Sequence, residues 1–270
     1  MFCVDINAVA NLPESLEHIL QGQDYFIDDI GRSNSTVIIF PEKVLKIRTS
    51  NEETGTEYKM LQWLQNKLPV PRVICHEIVD GIDYLLMSKV KGEMACNPQL
   101  MSDPIRLTHM LADALKFMWS VDISNCPVSW MLDRKLSAAT VAVESGEVDV
   151  GDAEPTTFGE NGFRDPAHLL TWLKTERHPE DLVLSHGDFC LPNIFFESGN
   201  LSGVIDLGRS GIADRWQDIA LCYRSLKHNY EGRYGGKVYE EYDSGMFFEA
   251  LGIKPDWNKL NYYILLDELF

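Results

Sequence analysis

Two short polar clusters, each preceded by strand-like apolar residues, constrain the fold of this chain most. The first lies within LSHGDFCLPNIFF (184–196) and the second within GVIDLGRSG (203–211). Asp188 and Asn193 are five positions apart, and Asp206 follows thirteen positions later. Because a β segment leads into each cluster, both clusters are predicted to lie where a strand ends in a loop. Loops in such places bring side chains from separate segments to one point.

Phosphoryl transfer to an alcohol needs side chains of these types. An aspartate orients the hydroxyl nucleophile and accepts its proton, while an asparagine and a second aspartate hold Mg²⁺. Mg²⁺ prefers oxygen ligands and typically takes one or two carboxylates together with phosphates. The spacing therefore predicts Asp188 as the catalytic base, with Asn193 and Asp206 as the metal ligands. The alternative is a set of Asx turns and caps in ordinary loops.

A lysine and a glutamate upstream match the same template. Lys46 lies in the predicted strand KVLKIR, and Glu57 lies in a helix predicted over 52–67. At helical spacing Glu57 shares a face with the apolar residues Met60, Leu61, Leu64 and Leu68. A carboxylate there is costly unless it is paired, so Lys46 is its expected partner beside the nucleotide phosphates. The alternative is a surface lysine and a glutamate at the edge of the apolar stripe.

Two further segments are candidates for nucleotide binding. DIGRSNST, between two predicted strands, offers Ser33 and Ser35, whose hydroxyls and neighbouring backbone N–H groups are expected to cover the phosphates. YLLMSKV places Met87 and Ser88 where a linker between lobes presents its backbone to adenine. The alternatives are a plain hairpin turn for the first segment and an ordinary strand for the second.

The pattern of hydrophobic residues changes near residue 90. Before it, strands dominate, including a hairpin that turns at Asp80-Gly81; after it, the periodicity is helical. We therefore predict an α+β fold with a β-rich nucleotide-binding lobe over 1–89 and a larger helical catalytic and substrate-binding lobe over 90–270. The helices predicted for the larger lobe span 103–121, 130–146, 165–175, 214–230, 235–251 and 256–269.

The net charge and the cysteine content limit the kinds of partner and the cellular location that fit this chain. A formal net charge of −17 argues against nucleic acid, because phosphate binding needs clustered lysines and arginines. The six cysteines are scattered without a C-x-x-C pair, which argues against a zinc site or a disulfide framework. The N-terminal residues do not resemble a secretory signal, and no apolar run approaches the length of a membrane span. We expect a cytoplasmic protein, monomeric or weakly dimeric.

Two other residues of the first cluster have less specific roles. His186 precedes the predicted base by two positions and is expected to position the loop. Cys190 has no base partner in the sequence other than His186. A Cys–His hydrolase is disfavoured because it leaves Asn193, Asp206 and the lysine–glutamate pair unexplained.

The motifs together resemble the bacterial aminoglycoside 3'-phosphotransferases. LSHGDFCLPNIFF, GVIDLGRSGIADRWQDIALC and the closing GIKPDWNKLNYYILLDELF carry this resemblance, which covers nearly the whole chain. Kinases of choline and homoserine share the H-G-D-x-x-x-x-N and I-D patterns but lack IDLGRSG-x-AD and DELF. The resemblance implies a protein-kinase-like fold of two lobes. It also implies ATP- and Mg²⁺-dependent phosphorylation of the 3'-hydroxyl of antibiotics such as kanamycin and neomycin, and hence resistance.

The resemblance also implies roles for individual residues. Asp188 matches the family's catalytic aspartate, and Asn193 and Asp206 match its Mg²⁺ ligands. Lys46 and Glu57 match the pair that positions ATP. These assignments agree with those drawn from the residue types alone.

Further roles rest on the resemblance only. Arg209 matches an arginine that reaches toward phosphate and the substrate side of the cleft. Glu268 and the terminal carboxylate of Phe270 match the group that binds substrate ammonium groups. Val44 departs from relatives that stack an aromatic ring on adenine at this position, which implies aliphatic packing of the base.

Acidic residues supply the remaining candidates for substrate binding. The loop 148–162 has no apolar periodicity, and its candidates for ammonium contacts are Asp149, Asp152, Glu154 and Glu160. Glu231, after the helix predicted over 214–230, is a similar candidate. Aminoglycosides carry several ammonium groups, and a cleft lined with carboxylates attracts and orients such cations. The alternative for each acidic residue is a solvated surface charge.

Two competing interpretations stay open on the sequence. One is a kinase for another small alcohol such as choline, a sugar or homoserine. The other is a kinase-like binding module without activity. Such a module usually lacks a catalytic residue, whereas Lys46, Glu57, Asp188, Asn193 and Asp206 are all present.

Overall fold

The small lobe is built on an antiparallel sheet. The structure, a computed structural model, describes residues 12–28, 35–160, 162–239 and 242–270. Within them the sheet has the strand order β1-β2-β3-β5-β4. Its strands are β1 (Phe26–Asp28), β2 (Thr36–Ile39), β3 (Lys43–Thr49), β4 (Val73–Val79) and β5 (Ile82–Ser88). The predicted turn between β4 and β5 is confirmed: Asp80 and Gly81 have φ of 50° and 78°, as two-residue hairpin turns require.

Strand β3 separates an apolar face from a charged face. Successive side chains of a strand point to opposite sides. Leu45 is buried with residues of helix α1 (Glu14–Leu20). Lys46 and Arg48 point the other way, toward helix α2 (Glu52–Leu64), where both contact Glu57. The alternation of β3 thus directs two cations at one buried carboxylate.

Helix α2 begins at a capping box. The Asn51 side chain accepts a hydrogen bond from the Thr54 N–H at 2.9 Å, and the Thr54 hydroxyl accepts one from the Asn51 N–H at 3.1 Å. Glu52 and Glu53 occupy the first turn, where negative charge is favourable. The helix ends at Leu64, a few residues before the predicted end, and packs Met60, Leu61 and Leu64 into the core.

The large lobe is mainly helical, as predicted. In the described residues its helices are α3 (Pro98–Met101), α4 (Pro104–Trp119), α5 (Leu132–Ser145), α6 (Pro166–Thr175), α7 (Arg215–Tyr230), α8 (Gly245–Leu251) and α9 (Trp257–Asp267). The helix predicted over 235–251 is wrong in its first half, because α8 begins at Gly245. Gly235 has φ of 81°, and Asp243 accepts a hydrogen bond from the Gly245 N–H at 2.8 Å.

Short strands and two 3₁₀ turns hold the polar clusters. The strands are β6 (Glu93–Met94), β7 (Leu182–Ser185), β8 (Ile194–Glu197), β9 (Asn200–Val204) and β10 (Gly211–Asp214). β7 pairs with β10, and β8 pairs with β6 and β9. Asp188 therefore follows β7, Asn193 immediately precedes β8, and Asp206 follows β9. This arrangement matches the predicted position of the clusters at strand ends.

One buried apolar cluster joins the two lobes. It includes Met60 and Leu85 of the small lobe together with Leu115 and Leu226 of α4 and α7. The division at residue 89/90 stays a prediction. No helix in the described ranges is long and apolar enough to cross a bilayer.

Candidate active site

A buried hydrogen-bond network shapes the loop that carries Asp188. The carboxylate of Asp218, on α7, accepts hydrogen bonds from the His186 N–H and the Gly187 N–H, each at 2.9 Å, and from the Ser185 hydroxyl at 3.0 Å. Three donors on one carboxylate fix the path of the backbone. Asp218 is fully buried, and this burial raises its pKa.

His186 stabilises the loop and is inaccessible to solvent. Its Nε2 lies 2.9 Å from the Ile205 carbonyl oxygen, and its Nδ1 lies 3.2 Å from the Asp188 backbone nitrogen. The carbonyl requires a proton on Nε2, and the Asp188 N–H requires a lone pair on Nδ1. The ring thus links the loop of Asp188 to the residue before Asp206, the positioning role expected from the sequence.

Gly187 allows the two polar loops to approach closely. Its φ is 84°, and a Cβ atom there would lie 2.1 Å from the Arg209 carbonyl oxygen. A side chain at residue 187 would therefore collide with the 3₁₀ turn that follows Asp206. Absence of a side chain is a geometric requirement of this site.

The structure brings Asp188 and Asn193 into direct contact. The Asn193 side-chain nitrogen donates to the Asp188 backbone carbonyl and to its Oδ2, each at 3.0 Å. Asn193 thereby orients the Asp188 carboxylate, and its own amide oxygen points away from that carboxylate. The Cys190 thiol also contacts this carboxylate, and burial with the Asp188 charge raises the thiol pKa well above its usual value. A thiolate nucleophile is accordingly disfavoured.

Lys46 joins Glu57 and Asp206 across the lobes. Its Nζ lies 2.9 Å from Glu57 Oε1 and 3.1 Å from Asp206 Oδ1. Burial lowers the pKa of Lys46, but the Glu57 and Asp206 carboxylates outweigh it, so the pKa is raised. The Lys46 charge in turn lowers the pKa of Asp206. The structure thus forms the predicted lysine–glutamate pair and adds the predicted metal ligand to it.

Glu57 has a second cationic partner that the sequence reasoning missed. Arg48 forms an ion pair with Glu57 and lies 3.7 Å from Asp83, a fully buried residue of β5. Asp83 also lies 2.7 Å from His76 Nε2. Arg48 follows Lys46 by two positions, so the alternation of β3 signals that both point to the same side.

The residues present fit a Mg²⁺–nucleotide complex. Asn193 and Asp206 offer an amide oxygen and a carboxylate, the hard oxygen donors that Mg²⁺ prefers. The Asp206 side chain is 48% exposed, so it is accessible to an incoming ion. Asp206 has φ of 61°, a left-handed conformation that is uncommon outside glycine and often marks functional sites.

The other predicted nucleotide-binding residues are placed less specifically. Met87 is buried at the end of β5, opposite Val44 of β3. Ser88 follows Met87 and accepts a hydrogen bond on its hydroxyl from the Arg72 N–H at 2.8 Å. Ser35 is partly buried just before β2, and Ser33 lies outside the described residues.

Arg209 begins a row of ion pairs on the large lobe. Its Nε donates to Glu53 of α2 at 2.8 Å, and its guanidinium lies 3.7 Å from Asp267 and 5.5 Å from the Phe270 ring centre. Burial lowers the Arg209 pKa, but carboxylates that include Glu53, Asp267 and Asp188 raise it overall. Arg209 and Phe270 are thus together, close to the predicted base.

The row continues to Glu268 and Glu154. Arg224 of α7 contacts Asp267 and lies 3.3 Å from Glu268 Oε1. Glu268 Oε2 accepts a hydrogen bond from the Glu154 N–H at 2.9 Å. Burial raises the Glu268 pKa to about 7. The structure therefore joins two of the predicted substrate-binding glutamates, which are more than a hundred positions apart in the chain.

The other acidic candidates are more loosely placed. Glu160 is exposed near the end of the loop that carries Glu154, and Glu231 is exposed just after α7. In the described part of the chain, no ion pair links either carboxylate to the row. Asp149 and Asp152 are exposed as well.

Helix α9, which leads to Glu268, is anchored by a buried aspartate that the sequence reasoning missed. Asp214 of β10 accepts hydrogen bonds from the Tyr263 hydroxyl at 2.9 Å and from the Lys259 ammonium at 2.6 Å. β10 directly follows the turn of Arg209. Asp214 thus fixes the end of the chain relative to Arg209.

Comparison with known proteins confirms the family predicted from the sequence. Residues 28–259 match the model of the phosphotransferase enzyme family. An aminoglycoside 3'-phosphotransferase of Enterococcus faecalis is 40% identical over 249 residues, which cover 85% of this chain and 90% of that protein.

Solved structures agree as well. The crystal structure of an aminoglycoside-3'-phosphotransferase of type VIII has a TM-score of 0.80 at 26% identity, covering 95% and 97% of the two chains. A Streptomyces rimosus aminoglycoside phosphotransferase, solved with ADP and streptomycin, shares the fold at a TM-score of 0.78 and 22% identity, covering 98% of each. The chain is therefore a phosphotransferase and belongs to the aminoglycoside 3'-phosphotransferase family.

Proposed function

We propose that the protein transfers the γ-phosphoryl group of ATP, with Mg²⁺, to the 3'-hydroxyl of aminoglycosides such as kanamycin and neomycin. The observation that carries this proposal is that two groups of charged residues lie on either side of Asp188. Lys46, Glu57 and Asp206 form a nucleotide-side cluster, and the ion-pair row from Arg209 to Glu154 runs along the substrate side. Asp188 lies between them.

On the nucleotide side, this chain's residues hold and orient phosphate. Glu57 keeps Lys46 in place at 2.9 Å, so that the ammonium binds phosphate oxygens when ATP enters. Asn193 and Asp206 would hold Mg²⁺, which neutralises charge on the transferring phosphoryl group. Ser33, Ser35, Met87 and Ser88 are proposed to cover the rest of the nucleotide.

On the acceptor side, Asp188 is proposed to orient the hydroxyl and accept its proton. Asn193 donates a hydrogen bond to Asp188 Oδ2 at 3.0 Å and so orients the carboxylate that is proposed to receive the substrate proton. Arg209 is proposed to stabilise negative charge on the transferring group from the opposite side. Most of the catalytic gain then comes from positioning and electrostatics, as in other phosphoryl transfers.

Substrate recognition is proposed to rest on carboxylates. Cationic amino sugars would pair with Glu154, Glu160, Glu231 and Glu268 and with the terminal carboxylate of Phe270, whose ring centre lies 5.5 Å from the Arg209 guanidinium. Each charged hydrogen bond contributes about 1.5–3 kcal/mol, so a few of them give useful affinity without an apolar pocket. Regiochemistry follows from which hydroxyl the bound ammonium groups leave beside Asp188. We also propose that the enzyme works in the cytoplasm, where its ATP is available.

Release of ADP by the purified protein tests the proposal. The assay uses ATP and Mg²⁺ with kanamycin, with tobramycin (which lacks the 3'-hydroxyl), or with choline. We expect rapid turnover of kanamycin and little of the other two. Equal turnover of tobramycin would contradict the 3'-position, and activity on choline alone would support a kinase for another small alcohol.

A further inference from the structure

The substrate-side carboxylates are already paired with the chain's own arginines. Arg224 contacts Asp267 and Glu268, and Arg233 contacts Glu154. A cationic substrate therefore meets carboxylates whose charge is compensated before it arrives. The two arginines differ in how firmly they are held, and this difference indicates which of them yields to a substrate.

Arg224 is a fixed partner. It lies in the middle of α7, and its side chain is 18% exposed. The two carboxylates that it contacts are 14% and 4% exposed. Loss of this arginine would leave the largely enclosed Glu268 carboxylate without its cation, and would leave Asp267 with only the 3.7 Å contact to Arg209. Arg224 therefore belongs to the structure that holds Asp267 and Glu268 in position.

Arg233 is held less firmly. It follows the end of α7 in a turn between Gly232 and Gly235, which have φ of 70° and 81°. Its side chain is 33% exposed, and the Glu154 side chain is 23% exposed. Ion pairs that contact solvent contribute little to stability, typically about 0.2–1 kcal/mol. The guanidinium can turn into solvent without opening the core.

His228 supports this pair without supplying charge. Its Nε2 lies 2.7 Å from Arg233 Nη1 and 3.0 Å from Glu154 Oε1, and its Nδ1 lies 3.2 Å from the Tyr234 hydroxyl. Burial lowers the pKa of His228 to about 4, so at neutral pH the unprotonated Nε2 accepts a hydrogen bond from Arg233 and has no proton to donate to Glu154. The positive charge that faces Glu154 is that of Arg233.

We propose that Arg233 is an internal counter-ion that an ammonium group of the substrate displaces from Glu154, so that Arg233 sets affinity and selectivity for cationic substrates. This inference rests on the proposed function. The backbone of Glu154 is held in place by the hydrogen bond from its N–H to Glu268, so the residue stays beside the row when the guanidinium leaves. A substrate amine gains the Glu154 contact but must break the internal pair, which lowers its net affinity.

The experiment compares Arg233→Gln, Glu154→Gln and the double variant with the wild type. Kanamycin affinity is measured by calorimetry without ATP, and KM and kcat are measured by ADP release. Arg177→Gln is the matched control, because Arg177 is an exposed arginine paired with Asp133 outside the row. Thermal unfolding of each variant reports on folding.

We expect Arg233→Gln to bind kanamycin about 1.5- to 5-fold more tightly, which corresponds to the roughly 0.2–1 kcal/mol of one solvent-exposed ion pair. We expect kcat and the KM for ATP to be nearly unchanged. Glu154→Gln should bind more weakly, and the Arg233 substitution should then have little further effect. The control should bind as the wild type does.

Three results would overturn the inference. The first is weaker kanamycin binding by Arg233→Gln. The other two are a gain in kanamycin affinity, as large as that expected of Arg233→Gln, when the Arg233 substitution is made in Glu154→Gln or when Arg177→Gln is made instead. The last two would indicate a general effect of net charge. Kanamycin binding without turnover in the wild type would contradict the proposed function and leave the affinity comparison valid. An absence of kanamycin binding in the wild type would overturn both.

Discussion

Arg209 Nε donates a hydrogen bond to Glu53 Oε1 at 2.8 Å, and this contact joins the first turn of α2 in the small lobe to the turn beside Asp206 in the large lobe. The same helix carries Glu57, the partner of Lys46. The orientation of Arg209 is thus coupled to the helix that carries Glu57, a residue proposed to position the nucleotide.

Glu53→Gln tests this coupling. We expect kcat/KM for kanamycin to fall about tenfold, roughly 1.4 kcal/mol of transition-state stabilisation, because Arg209 loses its fixed orientation. Stability should change by less than about 1 kcal/mol, since the pair is partly exposed. Glu52→Gln is the control, because Glu52 pairs with Arg134 across the same lobes but one position away. An equal loss of kcat/KM in both variants would indicate that any ion pair between the lobes has this effect, and that the orientation of Arg209 is not its cause.

Asp188→Asn tests the proposed base. We expect kcat to fall by about 10²- to 10⁴-fold, the usual range for loss of a general base. Binding of ATP should be nearly unchanged, because Lys46, Glu57 and Asp206 remain. Single-turnover ADP formation and nucleotide titration separate the two effects. A rate near that of the wild type would show that Asp188 is not the base.

Arg48→Met tests the second partner of Glu57. We expect the KM for ATP to rise about tenfold, because Glu57 then draws Lys46 away from the phosphates. The free energy of unfolding should fall by about 3 kcal/mol, as when one partner of a buried ion pair is removed. The KM for ATP of Arg48→Lys should lie between those of the wild type and Arg48→Met.

The KM for kanamycin distinguishes positioning from general damage in these Arg48 variants. It should change little, since the ion pairs of Arg48 among the described residues are with Glu57 and Asp83 and not with carboxylates of the row. Loss of stability with an unchanged KM for ATP would mean that Arg48 has only a structural role.

The pKa of Glu268 gives a pH-dependent prediction. Burial raises this pKa from 4.5 to about 7, so the folded state binds the proton more tightly than the unfolded state. The resulting stabilisation is present below about pH 4.5 and is lost as the pH rises through 7. Between pH 5 and 7.5 the free energy of unfolding should therefore fall by roughly 2–3 kcal/mol more in the wild type than in Glu268→Gln.

Urea unfolding at several pH values measures this difference. Glu249→Gln, at an exposed position of α8, removes the same charge and should follow the wild type. If the free energy of unfolding changed with pH in the same way in the wild type and in Glu268→Gln, Glu268 would not be the group that takes up the proton.

The parts of the site that could be predicted are those that local patterns encode. Lys46 and Glu57 were predictable as a pair because a carboxylate on an apolar helix stripe needs a cation. Asp188, Asn193 and Asp206 were predictable from ordered spacing at strand ends. The antiparallel small lobe followed from alternating residues and from the Asp80-Gly81 turn.

Contacts that depend on register or on irregular loops were not predictable. Arg48 meets Asp83 only because those residues are paired between β3 and β5, and the sequence does not specify this register. Arg233 and Glu154 are brought together from two segments without periodicity. The early start predicted for α8 failed for a related reason, because glycine and aspartate turns outweighed the apolar periodicity of 235–251.

The close approach of Gly187 to the Arg209 carbonyl has a consequence for how this enzyme can change. The two loops touch through backbone atoms, so no side chain between them can absorb a displacement. Asp188 on one loop, and Asp206 and Arg209 on the other, must therefore shift as a single body, whatever their proposed roles as base, metal ligand and phosphate-binding arginine. New drug specificities are therefore more accessible through the outer row around Glu154 and Arg233, where side chains can be exchanged without moving the atoms that transfer phosphate.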